Sequence, residues 1–191
     1  MGLIGKWTLA PSRRGTLRHW LQASGSLSAR LAATGVQFSV QVLAQGRQPL
    51  SLDEAKALGQ GQKRVGYARE VLLSVDDTPW VFARSVTTHC ASVGPWRAVR
   101  GLGSRPLANV LFKGSDIRRT PLAFKTLTRQ SPAQRHLAGA WQKATGQTLA
   151  HPSVPARRSA FYRHGAALVV MEVFAADAQR WQRMRCQRAR V

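Results

Sequence analysis

The sequence predicts an α+β domain with a single antiparallel six-stranded sheet flanked by helices. Three observations carry this prediction. The chain has 191 residues, a length that suits one domain with one core. Its strand-like segments are joined mostly by short, turn-rich connections instead of helices. Its helix-like segments are gathered in blocks, whereas a parallel α/β sheet would alternate strands with helices.

The predicted elements begin with a helical segment over residues 16–34. A break at Gly25 and Ser26 divides it, because Ser26 can cap the second piece, and Gly35 ends it. The six strands are predicted over residues 36–44, 67–75, 80–88, 119–127, 157–163 and 166–174. Residues 76–79 and the pair His164–Gly165 each connect two strands as a hairpin. Further helical pieces are predicted over residues 51–58, 96–102, 106–112 and 132–145.

Composition restricts the class of protein without selecting a partner. Basic residues number 29 against 8 acidic ones, so the net charge is +21 and the surface attracts nucleic acid, membranes and small acids alike. No apolar run approaches the roughly 20 residues that span a bilayer, and the first residues do not resemble a secretory signal. We therefore expect a cytoplasmic protein.

Cysteine and histidine patterns do not predict a metal site or a disulfide framework. Cys90 and Cys186 lie far apart, and neither belongs to a CxxC pair or a Cys/His cluster. The five histidines show no ligand spacing. We expect no metal and no cofactor.

Glu172 lies in AALVVMEVFAA, the most hydrophobic stretch of the chain. One interpretation is a solvent-exposed glutamate on an edge strand, where charged residues are common. The other is a pocket carboxylate that donates or accepts a proton, since burying a carboxylate without a partner is costly.

Two arginines occupy apolar strand patterns. Arg69 alternates with Tyr67, Val71 and Leu73, and Arg84 has an equivalent place on the next strand. A guanidinium group on an inward face requires a carboxylate, which either the protein or a ligand can supply. The pattern leaves a structural ion pair and a ligand clamp equally open. Glu70, on the opposite face from Arg69, is expected to face solvent or to pair across the sheet.

Four segments in residues 16–176 together resemble bacterial chorismate pyruvate-lyase. They are TLRHWLQASGSLSARL (residues 16–31), YAREVLLSVDDTPWVFARSV (67–86), GLGSRPLANVLF (101–112) and ARRSAFYRHGAALVVMEVF (156–174). Their order, spacing and content agree over most of the chain. The resemblance implies a ligand site enclosed under helical flaps. It also implies a carbon–oxygen lyase that converts chorismate to 4-hydroxybenzoate and pyruvate for ubiquinone biosynthesis, without metal or redox cofactor.

The resemblance also implies roles for individual residues. Arg69 would bind the ring carboxylate, backbone groups of Leu27 and Leu107 would contact the ligand, and Glu172 would lie near the hydroxyl and the enolpyruvyl ether. We add the hypothesis that Arg84 or Arg158 offsets charge on the departing enolpyruvate. Proton transfer through Glu172 and a hydrogen shift within the substrate are both compatible with the sequence.

The chain departs from the family pattern in two regions. Residues 131–154 look longer than in compact members, and residues 180–191 lie beyond the usual end. We therefore divide the chain into an N-terminal extension (1–15), a catalytic domain (16–176) and a basic tail (177–191), and we expect a monomer. The sequence does not assign roles to the two added regions or fix which hydroxybenzoate isomer is made.

Other functions compatible with the charge are nucleic-acid binding and ligand sensing on the same fold. No helix-turn-helix, zinc-finger or RNP1-like pattern supports specific nucleic-acid binding. A sensor of this kind needs a DNA-reading domain ahead of it, and about fifteen residues precede the matching region. The basic tail predicts weak contact with a membrane surface, with Trp181 as an interfacial anchor.

Overall fold

A computed structural model describes residues 6–61, 65–112, 116–177 and 181. In these ranges the chain forms one antiparallel sheet of seven strands in the order β1-β2-β3-β7-β6-β4, with β5 also paired to β6. The strands are β1 (Phe38–Pro49), β2 (Val65–Val75), β3 (Thr78–Thr87), β4 (Arg118–Arg119), β5 (Ala123–Thr128), β6 (Ser153–Arg163) and β7 (Ala166–Phe174). The helices are α1 (Gly15–Gln22), α2 (Leu27–Ala32), α3 (Leu52–Ala57), α4 (His89–Val93), α5 (Ala108–Leu111) and α6 (Pro132–Thr145), with a 3₁₀ turn at Arg97–Val99.

The predicted fold class is confirmed, but the predicted count of six strands is wrong in one segment. Residues 119–127 form two strands, β4 and β5, which both pair with β6. Pro121 has no N–H to donate, so it interrupts the ladder between them. The register shifts by one residue across this break, since Arg119 pairs with Phe161 and Ala123 pairs with Arg158.

Both predicted hairpins are present, and each turns through two residues with positive φ. Asp76 and Asp77 connect β2 to β3 with φ of 48° and 56°, and His164 and Gly165 connect β6 to β7 with φ of 47° and 76°. This left-handed backbone matches the twist of the strands that it joins. The Asp76 carboxylate also accepts hydrogen bonds from the backbone N–H groups of residues 36 and 37, which secures the approach to β1.

Strand register sorts the side chains of the sheet onto two faces. One face, the site face, carries the cross-strand row Arg69, Ser85, Val170 and Ser159. The other, the helix face, carries the neighbouring row Glu70, Arg84, Met171 and Arg158. Helices α1, α2 and α5 lie over the site face, and α3 and α6 lie over the helix face. Both faces of β2 and β3 are therefore buried.

Helix α6 begins and ends as its sequence predicts. The Ser131 hydroxyl accepts a hydrogen bond from the Gln134 backbone, Pro132 occupies the first turn, and Gly146 ends the helix in the left-handed conformation. Leu137 and Trp141 project from one side of this helix onto apolar side chains of the helix face. The long segment over residues 131–154 thus supplies packing for the helix face.

Arg84 lies at the centre of an ion-pair network on the helix face. Its Nε lies 2.7 Å from a Glu54 carboxylate oxygen, and its other nitrogens donate to Glu70, to the Gln48 side chain and to the Pro49 carbonyl. The sequence left a structural ion pair and a ligand clamp open for Arg84, and the structure shows the ion pair, on the face opposite to that of Arg69. The apolar pattern around Arg84 could not show which face of β3 carries this residue, because both faces are covered. Glu70 pairs across the sheet, as one of its two predicted alternatives required.

The two ends of the domain also pack onto the sheet. The Trp7 indole donates a 2.6 Å hydrogen bond to Asp53, and the backbone of Thr8 pairs with Phe124 of β5. Trp181 is fully buried, with its ring centroid about 5 Å from those of Trp20, Trp80 and Phe174. Its contacts therefore place Trp181 in the core and not in a tail. A buried ring of this kind cannot anchor the chain at a membrane surface. Residues 178–180 and 182–191 of the predicted tail lie outside the described ranges.

Over the described ranges, no helix has the length and apolar character needed to cross a lipid bilayer.

His136 links α6 to the Arg84 network and predicts a pH-dependent stability. Its Nε2 lies 2.7 Å from Glu70, and this hydrogen bond raises the pKa of His136 even though burial opposes it. A raised folded-state pKa gives stability that is fully present below the ordinary histidine pKa of about 6.5 and is lost as the pH rises through the raised value. We expect His136→Gln to lower the free energy of unfolding most below pH ~6.5, with a smaller difference at higher pH.

Urea denaturation of the wild type and the variant across this pH range measures the effect. His89→Gln is the matched control, since His89 is exposed and its side chain forms no hydrogen bond or ion pair with the described residues. A difference for His136→Gln that is constant with pH would contradict the proposed linkage.

Candidate active site

A cavity that is partly open to solvent lies between the site face and two covering segments. Its floor comes from β2, β3, β4, β6 and β7. Its cover comes from residues 25–28, at the start of α2, and from residues 106–108, 111 and 112, in and around α5. The predicted enclosure under helical segments is therefore present.

Arg69 enters the cavity from β2 with its guanidinium group almost entirely buried, at 2% exposure. One terminal nitrogen donates to the carbonyls of Gly103 (2.8 Å) and Arg105 (3.1 Å), so the group also holds the covering loop in place. Its buried Nε has no hydrogen-bond partner. Burial lowers the pKa of Arg69, and none of the ion pairs among the described residues involves it. A buried cation of this kind is suited to bind an anion.

Glu172 enters the cavity from β7, between β3 and β6. The edge-strand interpretation is therefore wrong, since β7 is an interior strand. One carboxylate oxygen lies 2.5 Å from Nε of Arg157, which stands opposite Glu172 on β6. Arg157 is fully buried, and its Nη1 donates to the carbonyls of Trp20, Leu21 and Ala23 at the end of α1. Arg157 thus fixes the orientation of the Glu172 carboxylate and also binds the end of α1.

Arg119 is a third charged residue of the cavity, on β4. Its Nε donates to the Ser159 hydroxyl at 3.0 Å, and its guanidinium carbon lies 5.1 Å from the centre of the Phe161 ring. Burial lowers its pKa, while the charge of Glu172 acts in the opposite direction. The wall of the cavity at Glu172 therefore carries an arginine that the sequence analysis did not select.

Leu27 and Leu107 both line the cavity, each where a short helix begins. Leu27 is the first residue of α2, which Ser26 caps as predicted. Leu107 precedes α5. Backbone N–H groups at such positions have no partner within the helix.

Register explains which of the sequence-selected residues meet at the cavity. Arg69 and Glu172 lie on the site face with Leu27 and Leu107 above them, whereas Arg84 and Arg158 lie on the helix face. Arg158 pairs with Asp53 of α3 at 2.8 Å. The hypothesis that Arg84 or Arg158 offsets charge on a departing group is therefore withdrawn, because both point away from the cavity.

A pattern in the sequence could have identified Arg157 as a residue of the site, but no local pattern could have identified Arg119. A two-residue turn at His164–Gly165 places Arg157 directly opposite Glu172, so the hairpin alone could have selected it over Arg158. Arg119 lies on a two-residue strand whose register depends on a partner some 40 residues away in the sequence, and no local pattern reveals that pairing.

The described part of the chain contains no cluster of three or more histidine, cysteine, aspartate or glutamate side chains that could hold a metal ion.

Comparison with known proteins assigns this arrangement to a family. A sequence profile described as chorismate lyase matches residues 10–186. The chain belongs to the chorismate lyase family. The match extends beyond the predicted catalytic region at both ends, in agreement with the packing of the N-terminal residues and of Trp181.

Several chorismate lyase relatives are similar over most of their length. A protein of Albidiferax ferrireducens, named as a probable chorismate pyruvate-lyase, is 57% identical over 175 residues, which are 92% of this chain and 89% of the relative. Proteins with the same name from an Azoarcus species and from Cupriavidus metallidurans are 42% and 40% identical, covering 88% and 84% of this chain and 89% and 73% of the relatives.

Solved structures of similar fold include domains of PhnF. The effector domain of PhnF from Mycobacterium smegmatis has a TM-score of 0.56 at 14% identity, covering 88% of this chain and 93% of that one. A PhnF C-terminal domain has a TM-score of 0.55 at 16% identity, covering 81% and 89%. At such low identity the similarity shows a common fold and nothing about function.

Arg157 and Arg158 provide a matched test of this site geometry. We expect Arg157→Met to lower the free energy of unfolding by about 3 kcal/mol, because it leaves Glu172 without its partner and frees three carbonyls of α1. Arg158→Met removes the same charge from a partly exposed pair and should cost only about 1 kcal/mol. Urea denaturation at one pH measures both losses, and equal losses would contradict the assignment of the two residues to opposite faces.

Proposed function

We propose that this chain removes pyruvate from chorismate and leaves 4-hydroxybenzoate. Membership of the chorismate lyase family gives the reaction class, and the buried guanidinium group of Arg69 is the observation that connects it to this cavity. A ring acid that enters the cavity supplies the carboxylate that Arg69 lacks among the described residues.

Arg69 would orient the ring by binding its carboxylate. Its Nε is free of hydrogen bonds, while a terminal nitrogen is already held by the carbonyls of Gly103 and Arg105. The guanidinium group is therefore positioned before the ligand arrives, which lowers the entropy lost on binding. Backbone N–H groups at Leu27 and Leu107 would add hydrogen bonds from the cover.

Glu172 would accept a hydrogen bond from the ring hydroxyl at the far end of the substrate. In the reaction, the hydroxyl-bearing carbon loses its hydrogen and that electron pair forms a ring double bond. The neighbouring ether bond breaks, and the enolpyruvate released takes a proton at its methylene carbon to become pyruvate. Atoms balance without a redox partner, so we propose that the chain uses no cofactor. The proton moves either through Glu172 or directly to the departing arm.

A direct assay tests the function. Purified protein incubated with chorismate should release 4-hydroxybenzoate and pyruvate in equal amounts, measured by chromatography and by a coupled pyruvate assay. A different hydroxybenzoate isomer, or no pyruvate, would contradict the proposal. Cytoplasmic location and a monomeric state stay predictions from the sequence.

Arg69→Gln should weaken binding of both chorismate and 4-hydroxybenzoate. A charge-assisted hydrogen bond contributes about 1.5–3 kcal/mol, so the dissociation constant of 4-hydroxybenzoate should rise about 10- to 150-fold. Isothermal titration calorimetry measures this change. Arg135→Gln, which removes the same charge from an exposed position on α6, should bind as the wild type does. Unchanged affinity in Arg69→Gln would exclude Arg69 from the site.

Glu172→Gln separates the two routes for the proton. An amide still hydrogen-bonds the ring hydroxyl, so the affinity for 4-hydroxybenzoate should change little. If Glu172 carries the proton, as we expect, kcat should fall about 100-fold or more, the usual contribution of a general base. Turnover near that of the wild type would instead assign the hydrogen shift to the substrate itself.

A further inference from the structure

We propose that Arg119 binds the carboxylate of the enolpyruvyl arm and so distinguishes chorismate from 4-hydroxybenzoate. The inference rests on the proposed function and extends it to the second negative charge of the substrate. Chorismate carries two carboxylates, whereas 4-hydroxybenzoate retains only the one on the ring. A second cation in the cavity would therefore contact chorismate through a charge that 4-hydroxybenzoate lacks.

The position of Arg119 fits this role. Helix α2 and its preceding turn lie above it, since Nη1 of Arg119 is 3.4 Å from the Gly25 carbonyl. On the adjacent strand β6, the Ser159 hydroxyl accepts a hydrogen bond from the guanidinium group, and the Phe161 ring packs against it. Both neighbours are uncharged, and both line the same cavity. The group is thus fixed in place by direct contacts with uncharged groups.

The acid that lines the cavity already has a partner other than Arg119. Glu172, the acid closest to Arg119 in the cavity, already pairs with Arg157 at 2.5 Å. No ion pair among the described residues includes Arg119. A half-buried guanidinium group in this condition attracts an anion from solution or from a substrate.

The arrangement of the three groups matches the shape of chorismate. In the sheet, β2 and β4 are separated by β3, β7 and β6, so Arg69 and Arg119 enter the cavity from opposite sides, with Glu172 of β7 between them. The ring carboxylate and the ring hydroxyl lie at opposite ends of the substrate, and the arm is attached next to the hydroxyl-bearing carbon. With the ring carboxylate on Arg69 and the hydroxyl on Glu172, one orientation of the ring about this axis brings the carboxylate of the arm to Arg119.

This assignment also gives Arg119 a part in the bond cleavage. Negative charge develops on the arm as the ether bond breaks, and a fixed cation stabilises it without rearrangement. After the reaction the charge leaves with pyruvate, and 4-hydroxybenzoate keeps only its contact with Arg69.

Arg119→Gln in the full chain tests the proposal, with Arg118→Gln as its control. Arg118 is the neighbouring residue on β4, is exposed, and loses the same charge. We expect Arg119→Gln to lower kcat/KM for chorismate about 10- to 100-fold while the dissociation constant of 4-hydroxybenzoate changes less than about threefold. Arg118→Gln should match the wild type in both measurements. Arg119→Lys, which keeps the charge but not the planar fork, should recover part of the loss.

The outcomes separate this inference from the proposed function. Equal losses for chorismate and 4-hydroxybenzoate would show that Arg119 only supports the cavity wall, and unchanged kinetics would remove it from the site. If Arg119→Gln does not fold, Arg119→Lys must still weaken chorismate more than 4-hydroxybenzoate, or the inference fails. If the wild type does not turn over chorismate, the proposed function fails. Calorimetric titration of chorismate and 4-hydroxybenzoate still tests Arg119 in that case, because selective weakening of chorismate needs no catalysis.

Discussion

The constraint on which this structure depends is the burial of both faces of the central strands. A charged side chain in such a sheet must meet an opposite charge or a polar group, since an unpaired buried charge is strongly unfavourable. On the helix face, Arg84 meets this requirement through Glu54 and Glu70. On the site face, Arg157 meets it through Glu172. Arg69 has no carboxylate partner among the described residues, and it donates instead to the carbonyls of Gly103 and Arg105.

Few acidic residues are available to pair with the buried arginines. Eight acidic residues stand against 29 basic ones, so pairing is limited by the supply of carboxylates. Among the described residues that line the cavity, Glu172 alone is acidic, and Arg157 is its partner.

Local patterns in the sequence predicted the helices, strands and turns well. They did not predict which face of the sheet each side chain occupies. The hairpin turns, the Ser26 cap and the bounds of α6 follow from residues that are neighbours in the chain, so they could be predicted. The pattern around Arg84 did not show which face of the sheet carries this residue, because alternation reveals a buried face only when the opposite face is exposed. The position of Arg119 depends on long-range pairing of β4, which no local pattern encodes.

Arg157 connects the Glu172 carboxylate to the end of helix α1. Its guanidinium group is shared between the Glu172 carboxylate and three carbonyls at the end of α1, and α1 leads directly into residues 25–28. Displacement of α1 would break these contacts together and release Glu172 from its fixed orientation. The position of α1 and the orientation of the carboxylate are thereby coupled.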